Sequence, residues 1–173
     1  MIEGRNVKIR PLKDKELDHF FSLLEIALIK NEFFPFCIES EYNFKKQFQK
    51  TGFWEKTQGL ALILNLDNEI LGMIAYIKSY FLEALELKYI IFDEKNRAKG
   101  YMKESLTLFT TYLFDNKKIN RLQLAIPDYH RASIAVAQKC GYTFEGIARE
   151  AIFSKGKYLD ICIYSLLRKE VKC

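Results

Sequence analysis

No two cysteines of this 173-residue chain stand in a C-x-x-C spacing; Cys37, Cys140, Cys162 and Cys173 are scattered. The opening Met1-Ile2-Glu3-Gly4-Arg5-Asn6 has no apolar leader, so the four read as reduced thiols of a cytoplasmic protein. Histidine is scarcer still, with only His19 and His130. That excludes a multi-histidine metal site, and no carboxylate or thiol cluster replaces it, so no metal is expected. No apolar run approaches the ~20 residues that a membrane span requires. G-x-G occurs nowhere, which removes the dinucleotide fingerprint; the P-loop pattern, H-E-x-x-H and G-x-S-x-G are missing too. Three prolines and eight glycines leave no linker and no low-complexity tract.

What remains is a chain rich in core material. Hydrophobic residues make up 49%, charged residues 28%, and there are 14 Phe and 10 Tyr. This is the composition of one globular domain spanning 1–173, able to fold without disulfide or metal. The 27 basic against 22 acidic residues give a net charge of +5. The lysines form no stripe, so nucleic acid is not an expected partner, whereas an acidic small molecule or a phosphate-bearing cofactor fits.

Hydrophobic periodicity divides the chain. Val7, Ile9 and Leu12 suggest an opening strand. Asp14 is a plausible cap for a helix whose stripe is Leu17, Phe20, Phe21, Leu24 and Leu28. Pro35 breaks that pattern, and Phe44 and Phe48 mark a second, shorter helix. The period then shortens to two over 60–66 and 70–77, with Asp67-Asn68 as the hairpin turn, and a third strand runs from about 84 to 92. A helix follows Gly100, a strand covers 122–126, and a short helix over 133–139 stops at Gly141. Two closing strands flank Lys155-Gly156. Strand–helix–strand units after an antiparallel meander predict a mixed, mostly antiparallel sheet of about seven strands with about four helices on its faces.

Two segments carry chemistry. In Phe92-Asp93-Glu94-Lys95-Asn96-Arg97-Ala98-Lys99-Gly100-Tyr101-Met102 a strand runs into a basic loop and a glycine opens a helix. The unpaired N–H groups of a helix N-terminus, with Arg97 and Lys99 beside them, suit a pyrophosphate. A plain solvated loop is the other reading of the same residues. The second segment is His130-Arg131-Ala132-Ser133, followed by Gln138-Lys139-Cys140-Gly141-Tyr142 and Glu145-Gly146.

Together the two segments resemble the GNAT acyltransferases, in particular the branch that acetylates ribosomal-protein N-termini. That family's phosphate loop, Arg/Gln-x-x-Gly-x-Gly/Ala, is matched by Arg97-Ala98-Lys99-Gly100-Tyr101-Met102. Its Asn-x-x-Ser, Glu-Lys-x-Gly-Phe and Glu-Gly are matched by the second segment, and its Ala-Glu-Ile-Gly-Tyr by Leu85-Glu86-Leu87-Lys88-Tyr89. The resemblance implies the GNAT fold, acetyl-CoA as co-substrate, and acetyl transfer to a primary amine of a small molecule or peptide. The amine of a protein N-terminus, a polyamine, an amino sugar or an antibiotic would serve. A module that holds CoA without turnover is the alternative, because Met102 and His130 depart from the family pattern. A homodimer is compatible with the resemblance.

The resemblance also distributes roles. Residues Phe92, Arg97, Ala98, Lys99, Gly100, Tyr101, Met102, His130 and Lys139 are expected to hold the cofactor, with a backbone N–H near Phe92 facing the developing oxyanion. Glu86 is the expected proton acceptor, with Glu83 second. Ala137 stands where many GNAT enzymes carry a tyrosine acid, which leaves Ser133 as the candidate proton donor; a helix cap is its structural alternative. His130 is expected as a cofactor-side contact or helix cap rather than a proton carrier. Cys140 and His19 are read as structural. Trp54 and Phe33-Phe34-Pro35-Phe36 are expected to pack in the core, with a pocket-lining role as the alternative.

Overall fold

The computed structural model describes residues 1–30, 40–80 and 82–171. Eight strands form one sheet: β1 (Ile2–Glu3), β2 (Lys8–Pro11), β3 (Gln58–Leu64), β4 (Ile70–Lys78), β5 (Ala84–Ile91), β6 (Arg121–Pro127), β7 (Thr143–Ser154) and β8 (Lys157–Leu167). Among the described residues four α-helices accompany them: α1 (Leu17–Lys30), α2 (Glu41–Thr51), α3 (Tyr101–Asn116) and α4 (Arg131–Lys139). The sheet order is β1-β2-β3-β4-β5-β6-β8-β7, and every neighbouring pair is antiparallel except β5 and β6. The expected class therefore holds, with one more strand than expected. The addition is β1, a two-residue arm on β2, too short to leave a periodic signal.

Strand alternation sorts the core into two layers. Ala61 and Ile63 of β3, Ile74 and Tyr76 of β4, and Leu85, Leu87 and Ile91 of β5 pack with Leu106, Phe109 and Leu113 of α3. Leu62 and Leu64 of β3 face the other way, against Phe20 and Phe21 of α1 and Phe44 and Phe48 of α2. The phenylalanines form a tilted stack, with Phe21 and Phe44 rings 4.9 Å apart. Asp14 begins a 3-10 turn over Asp14–Glu16 instead of capping α1 directly. Helix α3 ends where Arg168 donates to the carbonyls of Phe114, Lys117 and Ile119 at 2.5, 2.7 and 2.9 Å. An arginine thus supplies the C-terminal cap that a glycine usually gives. Trp54 stands edge-on to Tyr76 at 5.6 Å and also meets Phe109 and Tyr112, so it is a core residue, as expected. Phe33, Phe34, Pro35 and Phe36 lie outside the described residues.

Strands β5 and β6 pair over three rungs only, Ala84–Arg121, Leu85–Leu122 and Glu86–Gln123. Each is held on its outer side over seven rungs, β5 by β4 and β6 by β8. Past Glu86 and Gln123 the two strands part. A brace secures the closed end of the split. The register of β7 on β8 slips between Phe144 and Gly146, which makes Glu145 an extra residue in a bulge. Gly146, at φ 154°, takes the backbone conformation there. The bulge sends Glu145 across β8 to the Arg121 guanidinium, which it meets with both oxygens, at 2.7 Å from Nη1 and in close contact with Nη2. Ser165 of β8 donates to the same carboxylate at 2.6 Å, and Arg121 reaches on to Gln123 Oε1 at 3.3 Å.

The Arg121 hydrogen bonds, followed by the Ser165 hydroxyl, hold the Glu145 carboxyl down at about 2. The fold therefore favours its ionised form. That contribution is complete above the ordinary carboxyl range and is lost as pH falls through it toward about 2. Because the Glu145 side chain is 38% exposed, solvent screening keeps the pair to about 1 kcal/mol. Glu145→Gln is accordingly expected to lower the melting temperature at pH 7 by about 2–4 °C. The difference from wild type should vanish near pH 2. Equal melting curves at pH 7 would contradict the brace.

Candidate active site

Along β5 the backbone groups alternate between the two sheet edges. The Phe92 N–H donates to the Leu71 carbonyl at 2.9 Å and the Ala84 carbonyl accepts from Ser79, so even-numbered residues bond toward β4. The N–H and C=O groups of Leu87, Tyr89 and Ile91 consequently point toward β6; the Leu87 N–H serves the Glu86–Gln123 rung, and no rung follows for the Leu87 C=O or for Tyr89 and Ile91. This corrects the expectation for Phe92. Its amide is already used, its ring packs 6.0 Å from that of Phe20 on the α1/α2 layer, and it does not line the split. The amide that turns into the split at this level is that of Ile91.

The split holds a cavity of about 130 Å3. Glu86, Leu87, Lys88 and Tyr89 line it from β5, Leu124 to Pro127 from β6, His130 and Ser133 from α4, and Ile152, Leu159 and Ile161 from the β7–β8 hairpin. Alternation sets Glu86 and Lys88 on the α1/α2 face, while Tyr89 points to the α3/α4 layer. Beside the cavity β7 slips register again, between Ala148 and Ile152. Glu150 takes φ 50° in this second bulge and its N–H donates to Asp160 Oδ1 at 2.8 Å.

Ser133 lies in the first turn of α4 and is buried. His130 occupies the cap position, so the helix-cap alternative for Ser133 does not hold. The Ser133 hydroxyl instead shares a hydrogen bond of 2.9 Å with the Tyr89 hydroxyl. Burial pushes the Tyr89 phenol up to about 12, against the weaker downward pull of Ser133. Tyr89 thus keeps its proton at neutral pH. The sequence held this residue in plain view, as the last of the Ala-Glu-Ile-Gly-Tyr match, but nothing in one dimension joins it to Ser133, 44 residues away. His130 caps through its backbone, with no capping bond from its ring. Burial, aided by the charge of Arg97, lowers its imidazole to about 4, so it is neutral at pH 7.

The charge of Arg97, in the basic loop, is felt at His130 in the cavity wall. Ala98 at φ 60° and Gly100 at φ 86° both take left-handed conformations. Glu104 makes the first helical bond of α3, donating to Gly100 at 3.0 Å. The N–H groups of Tyr101, Met102 and Lys103 precede it and have no carbonyl within the helix, so they are available to an anion. Met102 therefore still presents its amide, while the side chains of Tyr101 and Met102 pack on the core. Arg97 and Lys99 are exposed, with Arg97 3.4 Å from Glu94.

Other expected residues lie elsewhere. Lys139 is exposed in the last turn of α4 and does not line the cavity. Glu83 is exposed just before β5. His19 is exposed on α1, and Ala137 is buried in the α3/α4 core. The Cys140 thiol donates to the Lys103 carbonyl at 3.4 Å, and burial raises it above its ordinary value, which suits a packing role. Among the described residues no group of His, Cys, Asp and Glu could hold a metal, and no helix is long and apolar enough to cross a membrane.

Comparison with known proteins agrees with this geometry. The chain is 25% identical to the SPbeta prophage-derived uncharacterized N-acetyltransferase YokL of Bacillus subtilis, over 96% of this chain and 93% of that protein. The fold superposes with a TM-score of 0.83 on the ribosomal alpha-N-protein acetyltransferase RimL in complex with coenzyme A, at 19% identity over 95% of both chains. It does so equally, at 0.83, on spermidine N-acetyltransferase from Vibrio cholerae in complex with CoA and spermine, at 17% identity over 96% of this chain and 98% of that one. Residues 6–143, which include α3, the split and α4, match the acetyltransferase (GNAT) domain family, and the chain belongs to that family.

Proposed function

We propose that this chain transfers an acetyl group from acetyl-CoA to a primary amine, with direct attack of the amine on the thioester inside the β5–β6 split. The observation that carries the reading is the split itself. It combines unpaired strand edges, a carboxylate on one face of the sheet and a hydroxyl pair on the other. The site fits the co-substrate. The loop from Arg97 to Gly100 and the first amides of α3 would hold the pyrophosphate, and the facing edges of β5 and β6 offer backbone groups to an amide-bearing arm.

The thioester supplies the activated acetyl group; the chain supplies position and proton traffic. An amine is protonated at neutral pH, with a pKa near ~8 for an α-amino group and ~10.4 for a lysine, and must lose a proton to attack. Glu86 is assigned that acceptor role, directly or through a water, because it lines the cavity from the face opposite the hydroxyls. The Ile91 amide, turned into the split, is assigned the developing oxyanion. Ser133 is assigned proton donation to the leaving sulfur, with Tyr89 donating to Ser133 and so turning the serine proton toward the cavity. His130 takes no part as an acid, being neutral at pH 7, and contributes wall.

Three outcomes are expected. Glu86→Gln lowers the acetylation rate at pH 7, and the deficit shrinks at high pH, where free amine is plentiful; a parental pH profile would remove Glu86 from the mechanism. Ser133→Ala and Tyr89→Phe each lower kcat by up to ~10²-fold, and the double variant is no slower than the worse single one, because the two hydroxyls act as a unit. Additive losses, measured by thiol release, would separate them. Gly100→Val weakens acetyl-CoA binding in calorimetry. The cause is conformational, because a Cβ added there meets no atom beyond its chain neighbours within 4 Å, while φ is 86°. Unchanged affinity would take the loop out of the site.

A further inference from the structure

We infer that Lys88 selects an acceptor whose amine and a carboxylate lie on the same or neighbouring carbon atoms, an amino-acid-type acceptor; the inference rests on the acetyl-transfer reading above. Glu86 and Lys88 leave β5 on the same face, and both line the cavity. With the imidazole of His130 neutral, they are the two side chains among the described lining residues that carry charge at pH 7. The lining is thus one anion beside one cation, with apolar surface from Ala125, Ile152 and Ile161.

Their separation is informative. Lys88 Nζ lies 3.9 Å from Glu86 Oε1, beyond the contact of about 2.8 Å made by a closed ion pair. The side chains are 54% and 28% exposed, so neither charge is consumed by burial. The ammonium of Lys88 keeps donors to spare, and the carboxylate of Glu86 keeps acceptor positions. A zwitterion matches this pattern. Its amine meets Glu86 while its carboxylate, about 3 Å away along two or three bonds, meets Lys88. A polyamine does not match it. Once its first amine is on Glu86, a second ammonium finds Lys88 and no second carboxylate among the described lining residues.

The test measures thiol release from acetyl-CoA with three acceptors at equal total concentration. They are a pool of α-amino acids, the matching pool of their methyl esters, and spermidine. Wild type, Lys88→Ala and Lys88→Glu are compared, with melting temperatures as a folding check. Wild type should favour the amino acids over either other acceptor by about tenfold or more. Lys88→Ala should bring the ratio to near one, and Lys88→Glu should reverse it in favour of spermidine, all three proteins melting alike. Equal or better rates with esters or spermidine in wild type, or a preference unchanged by both substitutions, would overturn the role of Lys88 while leaving acetyl transfer standing. Absence of thiol release with every acceptor would overturn the acetyl-transfer reading, and this inference with it.

Discussion

A parallel pair that stops after three rungs is the constraint on which this protein depends. Strands β5 and β6 are each fully engaged on their outer sides, so neither can rotate to follow the other as the sheet twists. Their inner edges are left with polar backbone groups facing a narrow gap. Unpaired backbone groups shielded from water are costly, and a ligand that can pair with them recovers that cost. On the proposed reading, the gap is the edge to which the co-substrate binds. Its width is guarded at the closed end, where Glu145 reaches across β8 to Arg121 and through it to Gln123, the partner of Glu86 in the last rung.

The same split sets the proposed base and the proposed acid on two faces. Side chains alternate across a strand, so Glu86 and Tyr89 fall on opposite sides of β5 although both border the cavity. Helix α4 covers one side and brings Ser133 onto Tyr89. In the proposed reaction, proton removal from an incoming amine and proton delivery to a departing thiolate would thereby be kept apart, with a single strand fixing both. The electrostatics follow from packing. Burial keeps the Tyr89 phenol protonated and the His130 imidazole neutral. Glu145 stays ionised because three donors reach it.

Much of this was legible in the sequence. The change from helical to strand periodicity located nearly every element, and Gly100 and Gly141 marked helix ends where the backbone does turn left-handed. What escaped was information about partners across the sheet. A one-residue alternation decides that the Phe92 amide bonds Leu71 while that of Ile91 faces the split, and no motif records it. The helix-cap alternative for Ser133 gave way because His130 starts the helix three residues earlier, which leaves the hydroxyl to Tyr89. Glu145-Gly146 read as a family signature and proves to be a bulge with a brace. Lys139 shared a motif with cavity residues, but the helical turn carries it away from them.

We propose that acetyl-CoA occupies the inner edge of β5. Amide hydrogen exchange resolved at single residues tests it directly. In the free protein the N–H groups of Tyr89 and Ile91 should exchange faster than those of Lys88, Ile90 and Phe92, which bond toward β4. Added acetyl-CoA should slow Tyr89 and Ile91, together with Tyr101, Met102 and Lys103, and leave Lys88, Ile90 and Phe92 nearly unchanged. Protection that spares Tyr89 and Ile91 while falling on another part of the sheet would contradict the account.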